Sequence, residues 1–262
     1  MKQESVRATL LSDETTGIYE SLRTYGGVFF RAEDHLDRFY ESAKTVGLKI
    51  PENRQELLKT LKKSLADSGK KEAFIRITLL GEKLFIIVTE KTHPPKIYEK
   101  GVALRTSPVP RNLSQAAFPE AKSTACLNQV LGTLDPAPAG NYELLFLNSG
   151  GYLTEARIGN LFIVASGHLL TPPPNGLLNG VTRRFVIECA RLGKIPVEER
   201  PITRHELFNA QEAFLTNTSW EILPIREVDA REIGFTRPGP ITRKLQAIFR
   251  RQVRKEIRNA KN

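Results

Sequence analysis

Lys122 lies in a stretch of small residues, AKSTACLNQVLG, followed by Glu155 in the apolar run GYLTEARIGNLFIV and then by LLNGVTRRF. An amine whose surroundings keep part of its population neutral is a nucleophile toward carbonyls. A carboxylate in an apolar run either faces solvent at a strand end or meets a buried cation, and a protonated heterocyclic nitrogen is one such cation. The loop ending in Gly180 opens a helix whose unbonded amides and dipole, with the Thr182 hydroxyl, favour an anion. Thr216, Asn217, Thr218 and Ser219 form a second hydroxyl-rich turn suited to phosphate. These are the parts that hold a phosphorylated aldehyde covalently and bias its electronics.

Each residue also has a plainer explanation. In a chain with 39 lysines and arginines, a single lysine is ordinarily a surface residue. Glu155 alone reads as a rim residue, and Gly180 as the start of an ordinary capped helix. His35 and Arg38 share a face of the first helix at i and i+3. Arginine is the natural bidentate ligand of phosphate, although a structural ion pair accounts for it equally well; His35 reads as a packing or hydrogen-bonding residue. The chain has four histidines without paired metal spacing, so no metal site is expected. The GxSxG, P-loop and GxGxxG motifs are absent.

The elements that must position these residues alternate between strand and helix. SVRATLL and IYESLRTYGGVFF have strand character, with a hairpin at Gly26-Gly27. Residues 33–47 take a helical period, with Leu36, Phe39, Tyr40, Ala43 and Val46 on one face. A second helix is expected over 52–65, then strands AFIRITLL, KLFIIVTE and GVALRTS. The proline-rich SPVPRNLSQAAFP reads as an interdomain loop, with a helix starting near Glu120. Downstream come the hairpins YELLFLN/GYLT and NLFIVAS/HLLTP and the helix Val181–Leu192. PVEERPI, the helix RHELFNA and the strands EAFLTNT and ILPIREVD follow. The expected fold is α/β (α+β) in two domains: 1–106 as a smaller α+β domain, 107–119 as a connecting loop, and 120–262 as a larger β-rich α/β domain.

Composition bounds the rest. At 262 residues, with 40% hydrophobic and 26% charged residues, the chain is an ordinary globular one. No apolar run approaches the length of a membrane span. The N-terminal residues lack a signal peptide's apolar core, and Cys126 and Cys189 sit in helix-like contexts as free thiols, which suits a cytoplasmic setting. The net charge of +10 invites a nucleic-acid reading. The basic residues are dispersed, however, except in TRKLQAIFRRQVRKEIRNAKN. There Leu245, Ile248, Phe249 and Val253 recur at helical spacing, so the basic residues form the solvated face of an amphipathic helix. Nucleic acid is not the expected partner.

Taken in order, YESLRTYGGVFFRAEDHLDRFYESAKTVGL, AKSTACLNQVLG, GYLTEARIGNLFIV, LLNGVTRRF and EAFLTNTSWEILPI resemble the class IV aminotransferases. These are pyridoxal phosphate enzymes of fold type IV, and they include branched-chain and D-amino-acid aminotransferases and aminodeoxychorismate lyase. The resemblance implies that Lys122 forms a Schiff base with pyridoxal 5'-phosphate and carries the proton. It implies that Glu155 pairs with the pyridine nitrogen and that Arg38, Val181, Thr182 and Thr218 hold the phosphate, with Leu178 on the ring face. Tyr19, and by our reading Arg157, are candidate substrate contacts. Amino-acid and 2-oxo-acid substrates and a homodimer are implied, with the lyase on the same fold as the alternative.

The chain departs from the family pattern at several points. The YES-like strand begins early, Ala125 and Leu127 replace the usual Asn and Tyr, and RITLLGE lacks an arginine-bearing turn. Arg157 and Ile158 stand where serines are common, and DPAPAGN looks shortened. None of these touches Lys122, Glu155 or the phosphate residues.

Overall fold

A computed structural model describes residues 17–111, 118–124 and 142–260. They fall into two compact units, one drawn from Met1–Lys91, Ala121–Cys126 and Asn259–Asn262, the other from Thr92–Glu120 and Leu127–Arg258.

In the first unit, β1 (Gly17–Tyr25) turns at Gly26-Gly27 into β2 (Val28–Phe29), followed by α1 (Ala32–Thr45) and α2 (Arg54–Ser68). β3 (Phe74–Leu80) and β4 (Lys83–Thr89) complete an antiparallel sheet in the order β2-β1-β3-β4. Residues alternate across the strands. Ile18, Leu22, Ile75, Ile77 and Leu79 join Leu36, Phe39 and Ala43 of α1 and Leu57, Leu61 and Leu65 of α2 in one buried cluster. Truncating any of these leucines or isoleucines to alanine costs about 2–5 kcal/mol. α2 opens with a capping box between Asn53 and Glu56 and ends at Gly69, whose φ of 66° suits glycine. The opposite sheet face carries Tyr19, Arg76, Thr78, Phe85 and Ile87 in adjacent register rows.

The second unit begins with α3 (Pro95–Lys100), β5 (Val102–Thr106), β6 (Glu143–Leu147) and β7 (Leu153–Ala156). Then come β8 (Asn160–Ala165), β9 (His168–Thr171), α4 (Val181–Leu192), β10 (Val197–Glu199) and α5 (Arg204–Phe208). β11 (Glu212–Asn217), β12 (Glu221–Val228), β13 (Arg231–Glu232) and α6 (Pro240–Asn259) end it. The sheet runs β10-β9-β8-β11-β12-β5-β6-β7, with β13 on β12, and β7 pairs back to β8. Six strands therefore close a hydrogen-bonded ring, and the pair that closes it is Glu155 with Asn160. Leu104, Leu145, Leu153, Leu161, Ile163, Leu215, Leu223 and Ile225 form one core cluster on one side of these strands. On the other side Phe162 stacks on Phe214, and Phe185 of α4 meets Phe249 of α6 edge-on. The basic residues of α6, including Arg250, Arg251, Arg254 and Lys255, are exposed, while Leu245, Ile248, Phe249 and Val253 are buried.

Three expectations change. β5, assigned from sequence to the N-terminal domain, is paired on both sides within the large sheet, to β12 and β6. A short apolar strand does not specify which sheet will take it. The stretch 107–111, read as interdomain loop, runs beside β6 through Ser107 N–H to Leu145 O and Arg111 N–H to Leu147 O. The helix expected near Glu120 is absent from 120–124. There the Lys122 carbonyl accepts from Tyr19 N–H, and Thr124 exchanges bonds with Gly17, so bonds to β1, with an isolated bridge from Ile18 to Ser123, stand in place of helical ones. The strand SVRATLL, Cys126, Ala125, Leu127 and DPAPAGN lie outside the described residues.

Candidate functional site

The candidate residues form two groups, one in each unit. In the first unit Lys122 is half-buried, its backbone fixed by the bond to Tyr19 and by its own N–H donating to Ser42 Oγ at 3.0 Å. Its Nζ lies 4.7 Å from the centre of the Tyr19 ring, and the Arg76 guanidinium carbon lies 4.4 Å from the same centre. Tyr19 therefore faces two cations, each favoured by the ring's negative face. Arg76, exposed on β3 and not singled out from sequence, joins Tyr19 and Lys122 here.

Arg38 is buried on α1 and donates Nε and Nη2 to the two oxygens of Glu20, both at 2.8 Å. His35 Nδ1 lies 3.1 Å from Glu20 Oε1. β1 alternation puts Glu20 between Ile18 and Leu22 on the core face, so the carboxylate requires these partners. Burial alone would raise the Glu20 pKa, but Arg38 and His35 outweigh it and hold the carboxyl well below its usual range. Burial lowers the His35 pKa despite Glu20 beside it. The ion pair allowed for in the sequence is present, and it aligns the guanidinium.

In the second unit the position of Glu155 follows from a β-bulge. Between the pairs Leu145–Ala156 and Leu147–Leu153, β7 has one residue more than β6. The extra residue lets Leu153 and Ala156 both join the core cluster while Glu155 turns to the other side, in register with Asn160. There Glu155 is 6% exposed and surrounded by donors. Arg111 Nη1 pairs with Oε1, Asn160 Nδ2 donates to Oε2 at 2.9 Å, and Leu178 N–H donates to Oε1 at 3.3 Å. Asn160 Nδ2 also reaches the Leu178 carbonyl at 2.8 Å, which fixes the loop before α4. Sequence reading missed Arg111, hidden among prolines, and gave no role to Asn160, although an asparagine in the apolar run GNLFIV was a usable signal.

α4 begins at Gly180, which has no side chain to cap the first turn, and that turn contains no acidic residue. Val181 and Thr182 are nearly buried, and Leu178 is half-buried. Arg183, buried in the same turn, donates Nη2 to the Pro172 carbonyl and to Glu199, so the loop is anchored from below. Thr218 is half-buried in a turn fixed by Asn217 Oδ1, which accepts from Ser219 N–H at 2.9 Å and Trp220 N–H at 2.6 Å. His93 Nε2 lies 2.7 Å from Ser219 Oγ. Arg157 donates Nε to buried Glu143 at 3.0 Å. Burial raises the Glu143 pKa, against the pull of Arg157. The described residues contain no group of three or more His, Cys, Asp or Glu able to hold a metal ion, and no helix among them is long and apolar enough to cross a membrane.

One unit therefore offers an amine beside an aromatic ring, and the other a buried, donor-ringed carboxylate near an uncapped helix start. A family model described as amino-transferase class IV matches residues 17–228. The branched-chain-amino-acid aminotransferase of Pseudomonas aeruginosa is 32% identical over 253 residues, covering 89% of this chain and 82% of that protein. The D-alanine aminotransferase of Bacillus licheniformis is 27% identical, covering 92% and 88%. The structure is similar to the T.th. branched-chain amino acid aminotransferase with pyridoxamine 5'-phosphate, at a TM-score of 0.86 and 28% identity, covering 97% and 91%.

Proposed function

Since the chain belongs to the class IV aminotransferases, pyridoxal phosphate enzymes, we propose that it moves the amino group of a branched-chain amino acid to a 2-oxo acid. The comparisons favour amino transfer over the lyase alternative.

The residues present fit the cofactor. Glu155 keeps acceptor capacity on Oε2 beyond its bond from Asn160, and a buried carboxylate already balanced by Arg111 can hold a ring N–H. The uncapped start of α4 and the Thr182 and Thr218 hydroxyls match a phosphate. When bound, pyridoxal phosphate supplies an aldehyde carbon and an electron-withdrawing ring.

In this reading Lys122 would hold the cofactor through its Nζ, and the same amine, once free, would carry the proton from substrate Cα to the carbon that bore the aldehyde. Tyr19 positions the Lys122 Nζ. Arg76, exposed beside the same ring, receives the substrate carboxylate. We prefer it to Arg157, whose Nε is engaged by Glu143. Arg38, aligned by Glu20, contributes a cation to the phosphate, and Leu178 packs on the ring. The arrangement around Glu155 is the observation that carries this assignment.

A homodimer in the cytoplasm completes the proposal. Phe85 and Ile87 are 46% and 56% exposed on β4, an apolar pair suited to a subunit contact. Cys189 is a free buried thiol, in keeping with a reducing compartment.

The test is the visible spectrum of protein incubated with pyridoxal phosphate. A band lost on borohydride reduction and absent in Lys122→Ala is expected; a protein that takes up no cofactor would sink the reading. Turnover of L-leucine, L-isoleucine or L-valine with 2-oxoglutarate should then exceed that of D-alanine. The reverse order would replace the substrate class while leaving the chemistry intact.

A further inference from the structure

Thr216 of β11 stands opposite Asn160 of β8, which stands opposite Glu155 of β7. Directly paired residues on neighbouring strands point to the same face, with Cβ atoms about 4.5–5.5 Å apart. The three side chains thus form one row across the sheet. Glu155 and Asn160 each have hydrogen-bond partners in that row, and the Thr216 hydroxyl has none among the described residues. Thr216 is 1% exposed.

Two other buried threonines in this sheet show how such a hydroxyl is usually satisfied. Thr154 donates to the Phe146 carbonyl at 3.0 Å, and Thr171 to the Leu161 carbonyl at 2.8 Å. Thr216 takes no such neighbour. Valine would fill the same space without leaving a polar atom unpaired, since it is β-branched and equally suited to a strand. On the far side of the row, Ile222 supplies no polar group. A buried hydroxyl without a partner opposes folding, so its partner must come from outside the described chain, on the face where Glu155 lies.

We propose that Thr216 is a further cofactor-positioning residue whose hydroxyl serves the heterocycle held by Glu155, directly or through one water at its edge. The proposal rests on the pyridoxal phosphate reading above. It adds a third member to the pair that anchors the ring, distinct from the phosphate residues Thr182 and Thr218.

The experiment compares apoprotein of the wild type, Thr216→Val and Thr216→Ser. Affinities for pyridoxal phosphate and for pyridoxal, which lacks the phosphate, are measured by fluorescence quenching, and the melting temperature of each apoprotein is recorded. Thr216→Val should bind both compounds about five- to tenfold more weakly, as expected for losing one hydrogen bond. Thr216→Ser should stay within twofold of the wild type. Apo Thr216→Val should melt at or above the wild-type temperature, because it removes an unpaired polar atom; a purely structural threonine would give a lower one.

Valine affinity within twofold of wild type, or a loss confined to the phosphorylated compound, would overturn the proposal. Failure of the wild type to bind either compound would overturn the cofactor reading instead, so the two failures are distinguishable.

Discussion

The side chain of Asn160 fills the space beside the Gly180 Cα that a Cβ would need, with Oδ1 in direct contact. Glycine at 180 is therefore required by the close approach of a neighbour, since its φ of −61° is open to any residue. Gly180→Ala should push Asn160 away from Glu155 and Leu178, the two groups it bridges. A hydrogen bond to a buried charge is worth about 1.5–3 kcal/mol. We expect a lower melting temperature and at least tenfold weaker pyridoxal phosphate binding, both readable by calorimetry; unchanged affinity would show that Asn160 does not orient Glu155.

Arg111 and Glu155 are each about 7% exposed and depend on one another. Arg111→Met leaves an uncompensated buried carboxylate, and breaking such pairs costs about 3–5 kcal/mol. Urea unfolding should register that loss. The double variant with Glu155→Gln should recover part of it, because the charge is then gone. Equal stability of the single and double variants would deny the coupling.

Acid should weaken the first unit through Glu20 and His35. The Glu20 carboxyl is depressed below its ordinary 4.5, so its contribution is present above that pH and lost as pH falls below it. His35 is depressed from 6.5, so it favours the unfolded chain progressively as pH falls below 6.5. Both effects have the same sign. Urea midpoints between pH 7 and 4 should fall for the wild type and fall less steeply for His35→Gln between pH 6.5 and 5; parallel slopes there would exclude His35 as a contributor.

Phe85→Lys with Ile87→Lys places two charges on the open face of β4, where neither side chain supports the core. Light scattering should show a dimer for the wild type and a shift toward monomer for the variant, with the first unit still folded by circular dichroism. A variant as dimeric as the wild type would place the subunit contact elsewhere.

Some of this was legible in the chain. α1 and α6 announce themselves because their apolar residues recur at helical spacing, and those residues are the ones that pack: Leu36, Phe39 and Ala43, then Leu245, Ile248, Phe249 and Val253. Glu155 stood out as a charge inside an apolar run. Its partner Arg111 did not, since 44 residues separate them and a long-range pair leaves no local periodicity. α3 was hidden by its length of six residues and by Pro94 and Pro95 at its start. The backbone at 120–124 was misread because EAKST is open to a helix or to an irregular path, and the decision lay with its bonds to β1.

The extra residue in β7 has a consequence for how this chain can vary. A strand that bears on a core with one face tolerates exchange of side chains more readily than a change in their number. Removing Thr154 would restore an unbroken ladder against β6 with Leu153 and Ala156 still in the core and Glu155 still on the face away from it, but without the local bend and twist that a bulge gives the strand. The aim of Glu155, rather than the face it lies on, is thus what the extra residue supplies. Deleting that one residue should turn the carboxylate away from Asn160 and Leu178 and lower cofactor affinity more than exchanging its side chain would.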